Sequence, residues 1–279
     1  MASALRTRFI NYMKLERLSP KTVQAYVGAV AGLAKYHSRS PDSLTNDQIQ
    51  SYLLHLIEER NLAWSSCNVA FSGLRYFYLN ILKWEETDFH IPARPRCRRL
   101  PLLMSRKEIR RLFAAVNNPK HRALLKTVYG AGLRVSEVVK LQPEHIESSR
   151  GLIRVEQGKG RKDRYTLLSD TLLAELRSYW RYCRPRKWLF FGRRKTDPIA
   201  IDSAQRIFYN AKKAAGITSG RGIHTLRHCF ATHMLESGTD LYTLKQLPGH
   251  TALSTTIGYI HLTPKRTGSL QGPLDTLNE

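Results

Sequence analysis

Along the first eighty residues the apolar positions recur with a helical period. In RLSPKTVQAYVGAVAGLAKYH, Val23, Tyr26, Val27, Val30 and Ala34 fall on one face, with Ser19 as N-cap and Pro20 at the first helical position. A second helix is predicted from Thr45, where Thr45-x-x-Gln48 forms a capping box ahead of Ile49, Leu53 and Leu56. A third runs from about Ser65 to Lys83. The pattern then breaks: DFHIPARPRCRRLPLL holds three prolines and four arginines, which is poor helix material and reads as an extended linker. Helical periodicity returns at Ser105, again with a capping box, Ser105-x-x-Glu108. It is interrupted once, by GLIRVEQGKGRKDRYTLLS, where β-branched and apolar residues flank a Gly-Lys-Gly turn and predict two antiparallel strands with a cationic tip. Helices resume at Asp170 and, after a Pro/Arg-rich loop at 184–195, continue to the end. The expectation is a mostly α chain with a small antiparallel β-hairpin, divided into a helical domain at 1–86, a linker at 87–103 and a second domain at 104–279.

Composition supports a folded chain: of 279 residues, 42% are hydrophobic and 24% charged. The charge narrows the partner. Lys and Arg number 45 against 22 Asp and Glu, a formal +23, and the excess is uneven: residues 1–85 carry +4 and residues 86–279 carry +19. Such a field attracts a polyanion, with nucleic acid foremost and an anionic membrane surface as the competing reading. No apolar run approaches the ~18 residues of a spanning helix and no signal peptide is visible, so a cytoplasmic, nucleoid-associated protein is expected. Cys67, Cys97, Cys183 and Cys229 form no C-x-x-C pair, so neither a zinc ribbon nor a disulfide framework is expected.

Four separated segments carry the polar chemistry. In YGAGLRVSEVVKL, Arg134 is expected in the first turn of a helix, where the helix dipole disfavours a cation unless an anion shares the site; pairing with Glu137 is the alternative. The hairpin tip offers Lys159, Arg161 and Lys162, read by themselves as a solvated turn. In HTLRHCFATHMLESG, His224 and Arg227 lie at i and i+3 while Leu226, Phe230 and Leu235 face the core. His228 and His233 read as ordinary, partly buried histidines. In LKQLPGHTALSTTIGYIHL, Gly249-His250 breaks a helix and Tyr259 follows, by itself a packing tyrosine.

Taken in order, G-L-R-V-S-E, the G-K-G hairpin, H-T-L-R-H-x-F-A-T-H, and G-H followed by T-T-x-x-Y-x-H resemble the signature of the tyrosine recombinases, or phage-type integrases, of the Xer-like and mobile-element kind. LSPKTVQAY resembles the SAM-like core-binding domain that precedes their catalytic domain, so the resemblance implies a two-domain DNA clamp. It implies that Arg134 and Arg227 clamp the scissile phosphate, that Tyr259 is the nucleophile forming a 3′-phosphotyrosyl link, and that Lys159 is the general acid. His224 and His250 assist proton transfer, and Glu137 orients the site. Lys21, Arg75, Arg94, Arg96, Arg98, Arg99, Arg161 and Lys162 are the further cations expected on DNA. The implied partners are duplex DNA and other copies of the chain, a dimer on each site and a tetramer in the synapse, with an accessory DNA-bending protein or partner recombinase as an addition. No cofactor and no metal are implied, because the phosphodiester energy is kept in the covalent link.

One departure stands out. Pro248 occupies a position where the family usually has an apolar residue such as leucine, so the helix before His250 is expected to end early. Type IB topoisomerases use a similar residue set to relax DNA, and a recombinase-derived DNA-binding protein without activity is a third reading.

The +19 of residues 86–279 generates a first expectation. Affinity for nonspecific duplex should fall with salt at ~0.9 log units per log unit for each phosphate neutralised. A nearly flat salt titration would favour the membrane reading.

Overall fold

A computed structural model of the chain describes residues 4–92, 102–156 and 163–240. They belong to two compact units, each with its own core.

The first unit is four helices, α1 (Ala4–Leu15), α2 (Pro20–His37), α3 (Asn46–Glu58) and α4 (Trp64–Asn80). The starts of α2 and α3 follow their caps: Ser19 Oγ accepts from the Thr22 amide at 3.1 Å, and Thr45 and Gln48 exchange two hydrogen bonds. The third helix expected at about 65–83 ends sooner, at Asn80, and α1 is additional to the helices that the periodicity predicts. Leu33, Leu53, Leu74 and Phe77 form the centre of the core. Where α2 and α4 cross, only glycine fits at position 73, because a Cβ there would lie 3.0 Å from Tyr26 Cα. Lys21 and Arg75 are both exposed.

The second unit begins with α5 (Arg106–Ala114), whose capping box forms as expected: the Ser105 amide donates to Glu108 Oε2 at 2.8 Å and the Glu108 amide to Ser105 Oγ at 3.2 Å. Then come α6 (Pro119–Gly130), the four-residue α7 (Val135–Val138), and strands β1 (Ile146–Glu147), β2 (Leu152–Val155) and β3 (Arg164–Leu167). Helices α8 (Asp170–Cys183), α9 (Ile201–Ala214) and α10 (His224–Glu236) complete it. The hairpin expected from the alternation is β2 and β3, antiparallel with Ile153 opposite Thr166 and Val155 opposite Arg164. A short third strand, β1, pairs with β2 and is additional to the predicted hairpin. No helix among the described residues is long and apolar enough to cross a membrane.

Two details differ from the sequence-based expectation and both place the site. Arg134 is the N-cap of α7 and not a residue of its first turn. Helix α10 buries its arginine: Thr225, Leu226, Arg227, Cys229, Phe230 and Ala231 are all buried, and Arg227 itself is 5% exposed, while His224 at the start of the helix is exposed. The apolar spacing locates one buried face, but neighbouring elements also cover Arg227.

The turn between α6 and α7 is buried, so its carbonyl groups need partners from elsewhere in the fold. Thr166 Oγ1 on β3 donates to Ala131 O at 2.7 Å, and a guanidinium nitrogen of Arg227 on α10 donates to Gly132 O at 2.6 Å. Gly132 has φ +61, and a Cβ there would lie 2.5 Å from Phe230 Cδ1. Gly132→Ala should therefore lower unfolding free energy by about 2–4 kcal/mol, from left-handed strain and overpacking together. Chemical denaturation reads this directly, and an unchanged midpoint would contradict the packing described.

Candidate active site

The α6–α7 turn carries Arg134 out of the core, and Glu137 one turn later holds it. Glu137 accepts from the Arg134 amide at 2.8 Å through Oε2 and from the Arg134 guanidinium at 2.7 Å through Oε1. The same carboxylate takes a two-pronged contact from Arg164, the first residue of β3, with both bonds at 2.9 Å. Glu137 thus ties α7 to β3 with the planar fork geometry that arginine supplies and lysine does not. Burial pushes its carboxyl up; the Arg164 fork, followed by the Arg134 amide and guanidinium, outweighs burial and holds the group below its ordinary value.

Arg227 reaches the same turn from α10. Its bond to Gly132 O ends two residues before Arg134, so two guanidinium groups from different helices are anchored to one short stretch of backbone. His224 opens α10 and is exposed. Its pKa is lowered, first by desolvation and then by the charges of Arg227 and Arg134, against an opposing effect of Glu137. The imidazole is therefore uncharged at neutral pH and has one ring nitrogen to donate and one to accept. His228, one turn on, is half-buried and shifted the same way, by desolvation and then by His224 and Arg227. His233 is buried and pairs its Nδ1 with Tyr129 Oη at 3.0 Å, the ordinary structural histidine expected.

The guanidinium groups of Arg134 and Arg164 pair with Glu137, Arg227 is tied to the same turn, and the histidine beside them is neutral. The excess is positive and positioned before any ligand arrives, which suits a multiply oxygenated anion such as a phosphodiester. Among the described residues no group of acidic, histidine or cysteine side chains has the spacing to hold a metal ion.

The structure brings Arg134, Glu137, His224 and Arg227 into one region. Lys159, Arg161, Lys162, His250 and Tyr259 lie outside the described residues, as do Pro248 and the linker cations Arg94, Arg96, Arg98 and Arg99. Sequence reasoning missed Arg164 and Thr166. Both sit on the inner register of the strand after the cationic tip, and only the pairing of β2 with β3 shows that they point at the α6–α7 turn.

The chain is similar to known proteins along most of its length. Residues 103–266 match the model of the phage integrase family, and residues 5–87 match a phage integrase N-terminal SAM-like domain. A protein of Sinorhizobium fredii described as an integrase/recombinase is 37% identical over 98% of this chain and 89% of its own length. The tyrosine recombinase XerA of Pyrococcus horikoshii is 30% identical over 94% of this chain and 90% of its own length. In fold, the chain resembles a lambda integrase fragment solved as a dimer bound to a core site, with TM-score 0.73, 18% identity, and coverage of 90% of this chain and 96% of that one.

The Glu137–Arg164 pair has a measurable consequence. Removing one partner of a buried pair strands the other charge, so Arg164→Ala should cost about 3 kcal/mol at neutral pH, with Arg164→Lys intermediate. A carboxyl with a depressed folded pKa contributes stability that is present above its ordinary value of 4.5 and lost as pH falls through the folded value. Arg164→Ala should therefore also flatten the loss of stability on the acid side. Equal urea midpoints for wild type and Arg164→Ala across that range would show that the pair is not formed in solution.

Proposed function

Because the chain belongs to the phage integrase family, the tyrosine recombinases, we propose that it cleaves and rejoins duplex DNA at specific sites through Tyr259. The phenolic oxygen of Tyr259 attacks the scissile phosphorus, forming a 3′-phosphotyrosyl bond as the bond to the 5′ oxygen breaks. Lys159 gives that oxygen its proton, and a 5′-hydroxyl leaves. Rejoining runs the same steps in reverse with the 5′-hydroxyl of a partner strand, so bond energy is conserved without a nucleotide.

The observation that carries this reading is the pair of arginines anchored on one buried turn. Arg227 is fixed to Gly132 O and Arg134 to Glu137, so both are oriented before substrate binds. A clamp of that kind stabilises the added negative charge of a pentacoordinate phosphorus without reorganisation during the reaction. His224, neutral and beside both arginines, is assigned to proton transfer and to holding a phosphate oxygen, together with His250. Glu137 is a positioning residue that fixes Arg134 and does not react.

The substrate is duplex DNA in the cytoplasm, on the nucleoid, gripped by both units. Lys21 and Arg75 of the first unit, both exposed, and the cations of the linker and hairpin tip are assigned to the phosphate backbone. The working assembly is a homodimer on each site and a tetramer at the point of exchange. The lambda integrase fragment it resembles is a DNA-bound dimer.

Tyr259→Phe should keep DNA affinity and abolish covalent capture on a nicked suicide duplex, read as loss of the slow-migrating band on a denaturing gel. A persisting adduct would assign the nucleophile elsewhere.

A further inference from the structure

Glu137 fixes one foot of the β2–β3 hairpin, through Arg164 at the start of β3. The other foot, where β2 ends at Val155, has a polar cluster that the catalytic turn does not use. Strand pairing assembles it. Ile146 of β1 lies opposite Ile153 of β2, so His145 and Arg154, one step further along each chain, meet across the pair. Glu156, the residue after β2, completes the group: Arg154 Nη2 lies 3.2 Å and His145 Nε2 3.5 Å from the same oxygen, Glu156 Oε1.

The histidine is oriented from behind. His145 is 3% exposed, and its Nδ1 accepts from the Gln142 amide at 3.2 Å. Nε2 therefore carries a proton and faces Glu156 as a donor. Neither that group nor the Nε–H of Arg154 has a hydrogen-bond acceptor among the described residues, although both nitrogens are buried; the 3.5 Å approach to Glu156 is a charge contact without hydrogen-bond alignment. Buried donors without an acceptor are rare and costly. An apolar side chain would serve packing better at this place.

Glu156 is the only acidic residue between positions 148 and 162, and three of the cations assigned to DNA, Lys159, Arg161 and Lys162, follow it within six residues. Its carboxylate is engaged from the β1 side, by Arg154 and His145. The three residues line a cavity of about 180 Å³ together with Lys140 and Glu137, so the cluster adjoins the brace that holds Arg134. Lys159 is three residues from Glu156 and five from Arg164. Three residues span about 10 Å at full extension, so the two feet bound where the lysine can be delivered.

We propose that His145, Arg154 and Glu156 are positioning residues that fix the β2 foot of the hairpin and thereby set the delivery of the Lys159 proton to the leaving 5′ oxygen. The proposal rests on the recombinase reading and on Lys159 as its general acid. None of the three touches the scissile phosphate. Glu156 holds the chain in place from its Arg154 and His145 contacts, and Lys159 alone gives up a proton as the bond from phosphorus to the 5′ oxygen breaks.

The test compares single-turnover cleavage, at saturating protein, of an ordinary nicked suicide duplex and of one with sulfur in place of the bridging 5′ oxygen. A thiolate leaves without acid help, so the sulfur duplex reports everything except proton delivery. Lys159→Ala calibrates the pair, slow on oxygen and restored on sulfur. Glu156→Gln should slow cleavage roughly tenfold on oxygen and less than about twofold on sulfur, part of what complete loss of an acid costs. Arg154→Met and His145→Leu should show the same selectivity, and each combined with Glu156→Gln should add little, because they act through one carboxylate. Equal slowing on both duplexes would overturn the proposal, as a merely structural role would give it. So would an unchanged or faster rate with Glu156→Gln on oxygen, the latter expected if the carboxylate only repels DNA, or effects that multiply in the combined variants. If the buried His145→Leu fails to fold, Glu156→Gln at its exposed position decides alone. A wild-type protein that captures neither duplex would sink the recombinase reading itself, and Lys159→Ala without sulfur rescue would remove the general acid and this proposal with it.

Discussion

The second unit is organised around a guanidinium buried against a main-chain carbonyl. Arg227 is 5% exposed and donates to Gly132 O at 2.6 Å. A buried cation is tolerated only where hydrogen bonds replace its lost hydration, and a turn with buried carbonyls is tolerated only where donors reach them. Each requirement is met by the other. The left-handed Gly132, the ring of Phe230 packed against it and the short helix α7, which begins at Val135, all lie around that bond between α10 and the turn after α6.

Glu137 performs the corresponding task on the opposite side of the turn. It converts two arginines that would repel each other into a braced triad, and the net positive charge left over is offered at a defined place. Desolvation keeps His224 neutral beside these charges, so proton chemistry and charge stabilisation are carried by different groups. The separation matters for phosphoryl transfer, in which the arginines must remain cationic while a proton moves.

Local features of this architecture are legible along the chain because their causes are local. Ser19, Thr45 and Ser105 cap helices within three residues of themselves, and the β2–β3 hairpin shows in its alternation. The residues that resemble a recombinase signature are legible as an ordered set, and four of them, Arg134, Glu137, His224 and Arg227, lie together in the fold. What the sequence does not disclose is set by distant contacts. Arg227 reads as a polar residue on an amphipathic helix, and only the elements packed around α10 make it buried. Arg164 lies 27 positions from Glu137 and meets it through strand pairing. Strand β1, two residues long, is too short to have a period.

The two ties on the catalytic turn differ in how sequence drift can undo them. The Glu137 brace depends on the identities of both Glu137 and Arg164, so a change at either weakens or breaks it. The Arg227 tie ends on a peptide oxygen that every amino acid carries, so on the turn side no exchange of residue removes the acceptor; only displacement of the backbone does. A lineage of such proteins can therefore vary the side chains around the turn widely while retaining this anchor, provided the arginine persists and position 132 stays able to adopt its left-handed conformation.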